Sequence, residues 1–365
     1  MTDVTSLADL SLLPVPHAGE GTGRAGSTSG EGEAVGEQRD RAVEAIRSAS
    51  QSGENILLVA HVDPDGDSLG SAIALGLALR ALGARASVSF DSDPFVVPRS
   101  LTFLPGQDFL VPPSLVAATP DLVVTLDAGS LARLGALGRV AARARRMVVI
   151  DHHASNTRFG DINLIDPDAA STSVMVTGVI DALGVELDHD MAVAIYTGLI
   201  TDTGSFRYSV TTPDVHRLAA RLLGTGIRHD LITRTVWDTH RFGYLRLLGE
   251  LLGRARLEPE HDLVWTWCAY ADLTAAGLTL DEIEGVIDIV RTTAEAEVAV
   301  VCKQDATNIW KVSVRSKGGI DVGAVCTALG GGGHRFAAGL SSTEALEPTM
   351  ATLRAALVRA PRLPG

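Results

Sequence analysis

Apolar residues first take up a regular spacing after residue 39, where Val43, Ile46 and Ala49 fall on one face of a helix that Ser52-Gly53 closes. The period then changes. Ile56-Leu57-Leu58-Val59-Ala60 is a continuous apolar run of strand length, the pattern of a strand buried on both faces. Further strands are predicted at Ala86 to Phe90, Asp121 to Leu126 and Met147 to Ile150, with a helix from about Ser68 to Leu82 and a basic helix feeding the last of them. Such runs separated by helices predict an α/β fold with a mainly parallel sheet covered by helices. After an apolar helix, Met191 to Ile200, helical pattern continues from Asp214 to Leu252. Leu263 to Ala269, Val298 to Cys302 and Ile309 to Val314 then read as strands of a smaller C-terminal α/β lobe, which ends in Gly330-Gly331-Gly332-Gly333-His334 and a helical tail.

This pattern divides the chain. Residues 1–38 read as a disordered tail: His17 to Gly36 is rich in Gly, Ser, Thr and Glu, and within the first 40 residues seven acids face only Arg24 and Arg39. The N-terminal lobe is expected over 39–228, connector helices over 229–255 and the second lobe over 256–365. An apolar share of 46% over 365 residues is enough for two cores. No apolar run approaches the roughly 18 residues that span a bilayer, so no membrane association is expected. No basic stretch leads into an apolar core at the N-terminus, and Cys268, Cys302 and Cys326 lie far apart, so a reducing, cytoplasmic setting is expected. The net charge of −13 argues against gripping long duplex nucleic acid by its phosphates and leaves room for a small anionic substrate.

The candidate chemistry sits at strand ends, where ligands bind in parallel sheets. His61-Val62-Asp63-Pro64-Asp65-Gly66-Asp67 follows the first strand, Asp127 ends another, Asp151-His152-His153 ends a third, and Asp202 closes the apolar helix. Taken alone, the alternating acids of the first loop are also what a solvated turn looks like. A calcium loop of the EF-hand kind fails, because its sixth and twelfth positions, counted from Asp63, hold Ser68 and Ala74 where Gly and Glu are needed. The recurrence of acids and imidazoles at neighbouring strand ends favours a metal site. His61, Asp65, Asp67, Asp127, His152 and Asp202 form an oxygen and imidazole set without soft ligands, suited to two Mn²⁺ or Mg²⁺ ions sharing a carboxylate. Such a pair serves phosphoester hydrolysis. His153 is the nearest group to protonate a leaving oxygen, and Asp151 is expected to orient an imidazole.

These stretches, together with Leu126-Asp127-Ala128-Gly129, Thr201-Asp202-Thr203-Gly204-Ser205-Phe206, Val314-Arg315-Ser316 and Gly330 to His334, resemble the motifs of the DHH phosphoesterases that carry a C-terminal DHHA1 domain. The resemblance covers roughly residues 40 to 345. It implies an N-terminal DHH lobe and a smaller DHHA1 lobe that binds substrate. It also implies that His61, Asp65 and Asp127 hold one Mn²⁺ and that Asp67, Asp127, His152 and Asp202 hold the other, with Asp63 in a supporting role. The first motif begins with His61 where RecJ-type exonucleases have Asp, which points to the NrnA-like branch. That branch implies a cytoplasmic enzyme, commonly dimeric, acting on very short RNA oligonucleotides and 3′-phosphoadenosine 5′-phosphate, with cyclic di-AMP as an alternative substrate.

On the substrate side, Arg315 and Ser316 end a strand, and Gly331, Gly332 and Gly333 beside His334 would let backbone amides approach a phosphate closely. Arg207 is a candidate contributor from the N-terminal lobe. The rival readings are a dedicated cyclic di-AMP phosphodiesterase, a nucleotide sensor without turnover and an inorganic pyrophosphatase. The full ligand set speaks against the sensor, and the absence of a second lobe rich in lysine and arginine speaks against the pyrophosphatase.

Overall fold

The structure, a computed structural model, describes residues 34–363. The tail expected over 1–38 therefore lies outside the described residues up to residue 33, and its last part is corrected. Helix α1 runs Val35–Gln51, starting before Arg39, and buries Ala42, Val43, Ile46 and Ala49. Gln38 is buried as well, its side-chain oxygen accepting the Ile165 amide at 3.0 Å. A polar residue expected in a tail is thus fixed to the sheet by one hydrogen bond that no local pattern announces.

The first sheet contains β1 (Asn55–Ala60), β2 (Arg85–Ser89), β3 (Leu122–Leu126), β4 (Arg146–Asp151) and β5 (Ile162–Ile165), in the order β2-β1-β3-β4-β5. Every pairing is parallel. The chain moves from β1 outward to β2 and then returns to β3 on the other side of β1. The two loops leaving β1 and β3 therefore part company at the switch point, where such sheets open a crevice. Register sharpens this: Ala60 lies beside Leu126 and Leu126 beside Ile150, so the residues that follow these strands emerge next to one another.

Helices α2 (Gly66–Ala81), α3 (Leu137–Ala141), α4 (Thr172–Leu183) and α5 (His189–Asp202) complete the part of the lobe that carries the acidic motifs. The segment expected as a basic helix before β4 is helical only over the five residues of α3. Helix α2 is buried on nearly every side. It lies unusually close to α5, because a Cβ at Gly70 would fall 2.5 Å from the Ala194 carbonyl oxygen and one at Gly198 would fall 2.6 Å from Asp67 Oδ1. Glycine at these two points sets the approach of the helices that carry Asp67 and Asp202.

Helices α6 (Pro213–Leu223), α7 (His229–Trp237) and α8 (Phe242–Gly253) follow. The expected connector divides between lobes: α7 buries Ile232 in the N-terminal core, while α8 buries Tyr244, Leu247 and Leu251 against Val264, Ala299 and Val301 of the C-terminal lobe. That lobe holds β6 (Arg256–Glu258), β7 (Leu263–Cys268), β8 (Val298–Gln304), β9 (Trp310–Ser316), β10 (Gly332–His334) and β11 (Ala337–Ser342), in the order β10-β11-β9-β8-β7-β6. Only β7 and β8 run parallel among these pairs. Helices α9 (Tyr270–Ala276) and α10 (Val286–Val290) cover one face with α8, and α11 (Val322–Ala328) and α12 (Leu346–Arg359) cover the other. The three cysteines are free and buried. No helix among the described residues is long and apolar enough to cross a membrane.

Candidate active site

The in-register ends of β1, β3 and β4 bring His61, Asp127 and Asp151 together, all three buried. Asp127 adopts a left-handed backbone (φ 60°), with its amide donating to Ile150 O at 3.0 Å. Asp65 caps α2, accepting the Ser68 amide at 2.9 Å. Asp67, in the first turn of the same helix, points at the N-terminus of α4. Its Oδ2 accepts the Thr172 amide at 2.6 Å and its Oδ1 the Ser173 amide at 2.9 Å. These are amides that a helix cannot pair within itself, so the carboxylate satisfies two of them and gains from the helix dipole. Thr172 also donates its hydroxyl to Asp127 Oδ1 at 3.0 Å.

The two imidazoles face this cluster with bare nitrogens. His61 Nδ1 lies 2.7 Å from Val62 O and His152 Nδ1 lies 3.1 Å from Ala169 O. A carbonyl can only accept, so Nδ1 carries a proton in both rings, which leaves each Nε2 as the atom that can offer a lone pair to a cation. His61 Nε2 stands 3.6 Å from Asp65 Oδ2 and 3.6 Å from Asp127 Oδ2. His152 Nε2 stands 3.0 Å from Asp202 Oδ2, 3.4 Å from Asp127 Oδ1 and 3.9 Å from Asp67 Oδ2. Despite these short approaches His152 Nε2 is buried and makes no hydrogen bond. Two overlapping donor groups result, His61-Asp65-Asp127 and Asp67-Asp127-His152, sharing Asp127. A buried, unpaired imidazole nitrogen among carboxylate oxygens fits a divalent cation and fits little else.

The electrostatics agree. Burial pushes Asp67 well above the usual carboxylate range, and the neighbouring Asp202 and Asp127 add to it. Burial likewise raises Asp202 to about 6, against the pull of His152. Burial works the other way on His152, yet the surrounding carboxylates raise it well above an ordinary histidine. The cage holds more negative charge than it can solvate, the condition that bound cations relieve.

Beside the cage, Asp151 holds His153 and not His152. Its Oδ1 lies 2.7 Å from His153 Nδ1, and its Oδ2 accepts from Asn156 Nδ2 at 2.6 Å. Burial would raise Asp151, but these two contacts, His153 first, keep it below the usual range. The second lobe supplies His334, whose ring stacks on His153 with centroids 4.3 Å apart and planes 21° apart. Its centroid is 4.5 Å from that of His152. Burial, with His153 and His152 close by, holds His334 well below an ordinary histidine, so its ring is neutral near pH 7.

The other expected residues fall as follows. Gly332 and Gly333 belong to the edge strand β10, paired with β11, so half of the glycine run is strand. Gly333 (φ 134°) needs the freedom of glycine, Gly331 lies against β11, and a side chain at Gly332 would meet nothing within 4 Å. Arg315, opposite Ala337 of β11, is near enough for its charge to bear on both His334 and Tyr208. Arg207 donates from Nε to Gly204 O at 2.6 Å and borders a cavity of about 250 Å³ with Tyr208, Asp288, Arg291, Thr292 and Lys317. Ser316 is not brought to the cluster: it is buried, donates to Glu297 Oε1 at 2.7 Å and accepts the amides of Gly318 and Ile320. Asp63 is exposed at the tip of its loop and belongs to neither donor group. Thr172, Ser173 and Asn156 went unread in the sequence. Ser171-Thr172-Ser173 ahead of an apolar run is a helix-start signal, whereas Asn156 carries no local signal.

A model described as "DHH family, N-terminal domain" matches residues 55–199, and one described as "DHHA1 domain" matches residues 268–359. The chain is 35% identical over 314 residues to the bifunctional oligoribonuclease and PAP phosphatase NrnA of Thermus thermophilus, a match covering 84% of this chain and 91% of that protein. It is 25% identical over 332 residues to the cyclic-di-AMP phosphodiesterase GdpP of Bacillus subtilis, covering 83% of this chain and 48% of that protein. Among solved structures, an exopolyphosphatase-related protein from Bacteroides fragilis superposes with a TM-score of 0.78 at 25% identity, covering 88% of this chain and 96% of that one.

Proposed function

Because the chain belongs to the DHH family and carries a DHHA1 domain, we propose that it is a cytoplasmic two-metal phosphoesterase that hydrolyses short RNA oligonucleotides to mononucleotides and 3′-phosphoadenosine 5′-phosphate to AMP. The observation that carries this reading is the pair of donor groups sharing Asp127. His61, Asp65 and Asp127 would hold one Mn²⁺, and Asp67, Asp127, His152 and Asp202 the other, with Mg²⁺ as the alternative ion. When bound, such a pair of cations supplies a nucleophile at neutral pH and offsets charge on the phosphoryl group.

The chain's own residues do the rest. Asp151, fixed by Asn156, keeps the proton on His153 Nδ1 and so orients the ring. Burial opposes a charge on His153, yet its bond to Asp151 raises it above an ordinary histidine, so Nε2 carries a proton to give to the leaving oxygen. Neutral His334, seated on His153 from the second lobe, covers the reacting face and excludes water. Arg315 and Arg207 offer cations to the remainder of a short nucleotide, and the open face of Gly332 admits its backbone. A site divided between two lobes favours short substrates, which reconciles an acidic protein with action on nucleic acid.

The test compares kcat/KM with Mn²⁺ on an RNA dinucleotide, 3′-phosphoadenosine 5′-phosphate and cyclic di-AMP. The first two are expected to lead, as the NrnA relative is matched over nearly its full length and GdpP over less than half. Preference for cyclic di-AMP would overturn the substrate assignment, and unchanged turnover in Asp127→Ala would overturn the two-metal site.

A further inference from the structure

Beyond Asp202 the chain makes a turn that its own residues do not favour. Gly204, Ser205 and Phe206 are consecutively left-handed, with φ of 55°, 57° and 67°. For the two that carry side chains this is a costly conformation, which persists only where the surroundings impose it. Part of the imposition is local: the Thr203 hydroxyl donates to Leu199 O at 2.6 Å and accepts the Phe206 amide at 3.1 Å. The Ser205 amide adds a bond to Ile200 O at 2.7 Å and Arg207 Nε one to Gly204 O at 2.6 Å, and a further hold comes from Tyr208. Its amide bonds back to Thr203 O at 3.1 Å, and its ring folds over Gly204 so closely that a Cβ there would lie 2.4 Å from a ring carbon.

The outer end of Tyr208 belongs to the second lobe. Its hydroxyl donates to Asp288 Oδ1 at 3.2 Å, and the Arg291 guanidinium sits 4.7 Å from its ring centroid while lying 3.7 Å from the same Asp288 oxygen. Asp288 lies on α10 and Arg291 caps its end. One tyrosine therefore touches the turn that follows Asp202 and the lobe that carries His334.

We propose that Tyr208 is a positioning residue through which the C-terminal lobe, gripping it by Asp288 and Arg291, holds the left-handed turn after Asp202 and so completes the donor cluster only when the lobes are seated together. This role rests on the phosphoesterase reading for its effect on turnover. It also makes cation binding and lobe seating reciprocal, since each stabilises the state the other needs.

The experiment has two arms. In the first, Tyr208→Phe, Asp288→Asn and the double variant are assayed on an RNA dinucleotide. Each single change is expected to lower kcat/KM about tenfold, with the double variant losing no more than the worse single. Additive losses, or none, overturn the contact. In the second, Mn²⁺ alone is titrated by calorimetry into the full chain without substrate. Tyr208→Leu is expected to weaken binding at least about tenfold, while Tyr208→Phe, which keeps the ring over Gly204 and under Arg291 but loses the bond to Asp288, weakens it by less. Wild-type Mn²⁺ affinity in a folded Tyr208→Leu overturns the positioning role. If Tyr208→Leu does not fold, Asp288→Asn takes its place in the titration, where unchanged affinity counts against the role. A wild-type protein that turns over no short phosphoester sinks the functional reading and leaves the Mn²⁺ arm to judge Tyr208.

Discussion

The two halves of the donor cluster share Asp127 but live in different surroundings. In the first, Asp65 is exposed and already employed as the cap of α2, while His61 and Asp127 beside it are buried. In the second, Asp67 has no solvent exposure, both of its oxygens are spent on α4 amides, and Asp202 and His152 press against it. The difference teaches that the same ligand types serve as a surface fitting in one place and as part of the core in the other. The sealed half ties metal binding to folding, while the open half can lose its ligand at small cost.

The strongest way to break that comparison is to remove one acid from each side. Asp67→Ala should lower kcat/KM by at least about 10³-fold and, by orphaning the Thr172 and Ser173 amides, cost about 1–3 kcal/mol in urea unfolding. Asp65→Ala should cost only about 1 kcal/mol, the loss of a helix cap. Equal stability losses would erase the distinction.

A gentler probe is pH on chelated protein. Asp67, Asp202 and His152 all have folded-state values above their ordinary ones, Asp202 at about 6. A raised group stabilises the fold while it stays protonated and loses that contribution as pH rises through its folded value. The melting temperature in chelator should therefore fall between pH 5 and pH 7.5, and Mn²⁺ should abolish the fall by taking the place of the protons. A flat profile in chelator would contradict the sealed half.

Outside both halves the effects shrink. Asn156→Ala, which frees one oxygen of Asp151, should lower kcat about tenfold with Mn²⁺ affinity unchanged. Ser316→Ala should leave kcat/KM as it is and cost about 1 kcal/mol, because its hydroxyl serves the loop around Glu297.

What could be read in the sequence follows from this contrast. His61, Asp65, Asp67, Asp127, His152 and Asp202 stood out because each follows or closes a segment with a clear period, and a parallel sheet gathers such ends. The N-terminal sheet was visible for the same reason, apart from β5, whose four residues follow no strong apolar run. The supporting residues were hidden, because Asn156, Gln38 and Tyr208 act through partners that the fold alone selects. For Ser316 the sequence could not show that its hydroxyl bonds Glu297, because a hydroxyl at a strand end looks the same whether it meets a ligand or a glutamate. Strand β10 was masked by its glycines, which read as a turn until a partner strand fixes them.

The left-handed backbone at Asp127 (φ 60°) also limits what mutation can do there. Only glycine and the short polar residues Asp and Asn visit that region readily. Glycine lacks a carboxylate, and Asn keeps the backbone but gives up the charge. Glu keeps the charge, but its longer chain suits neither the conformation nor the reach. No single step from Asp127 preserves both geometry and charge, so the position is an evolutionary dead end for drift, and any route to a new metal preference must run through its neighbours.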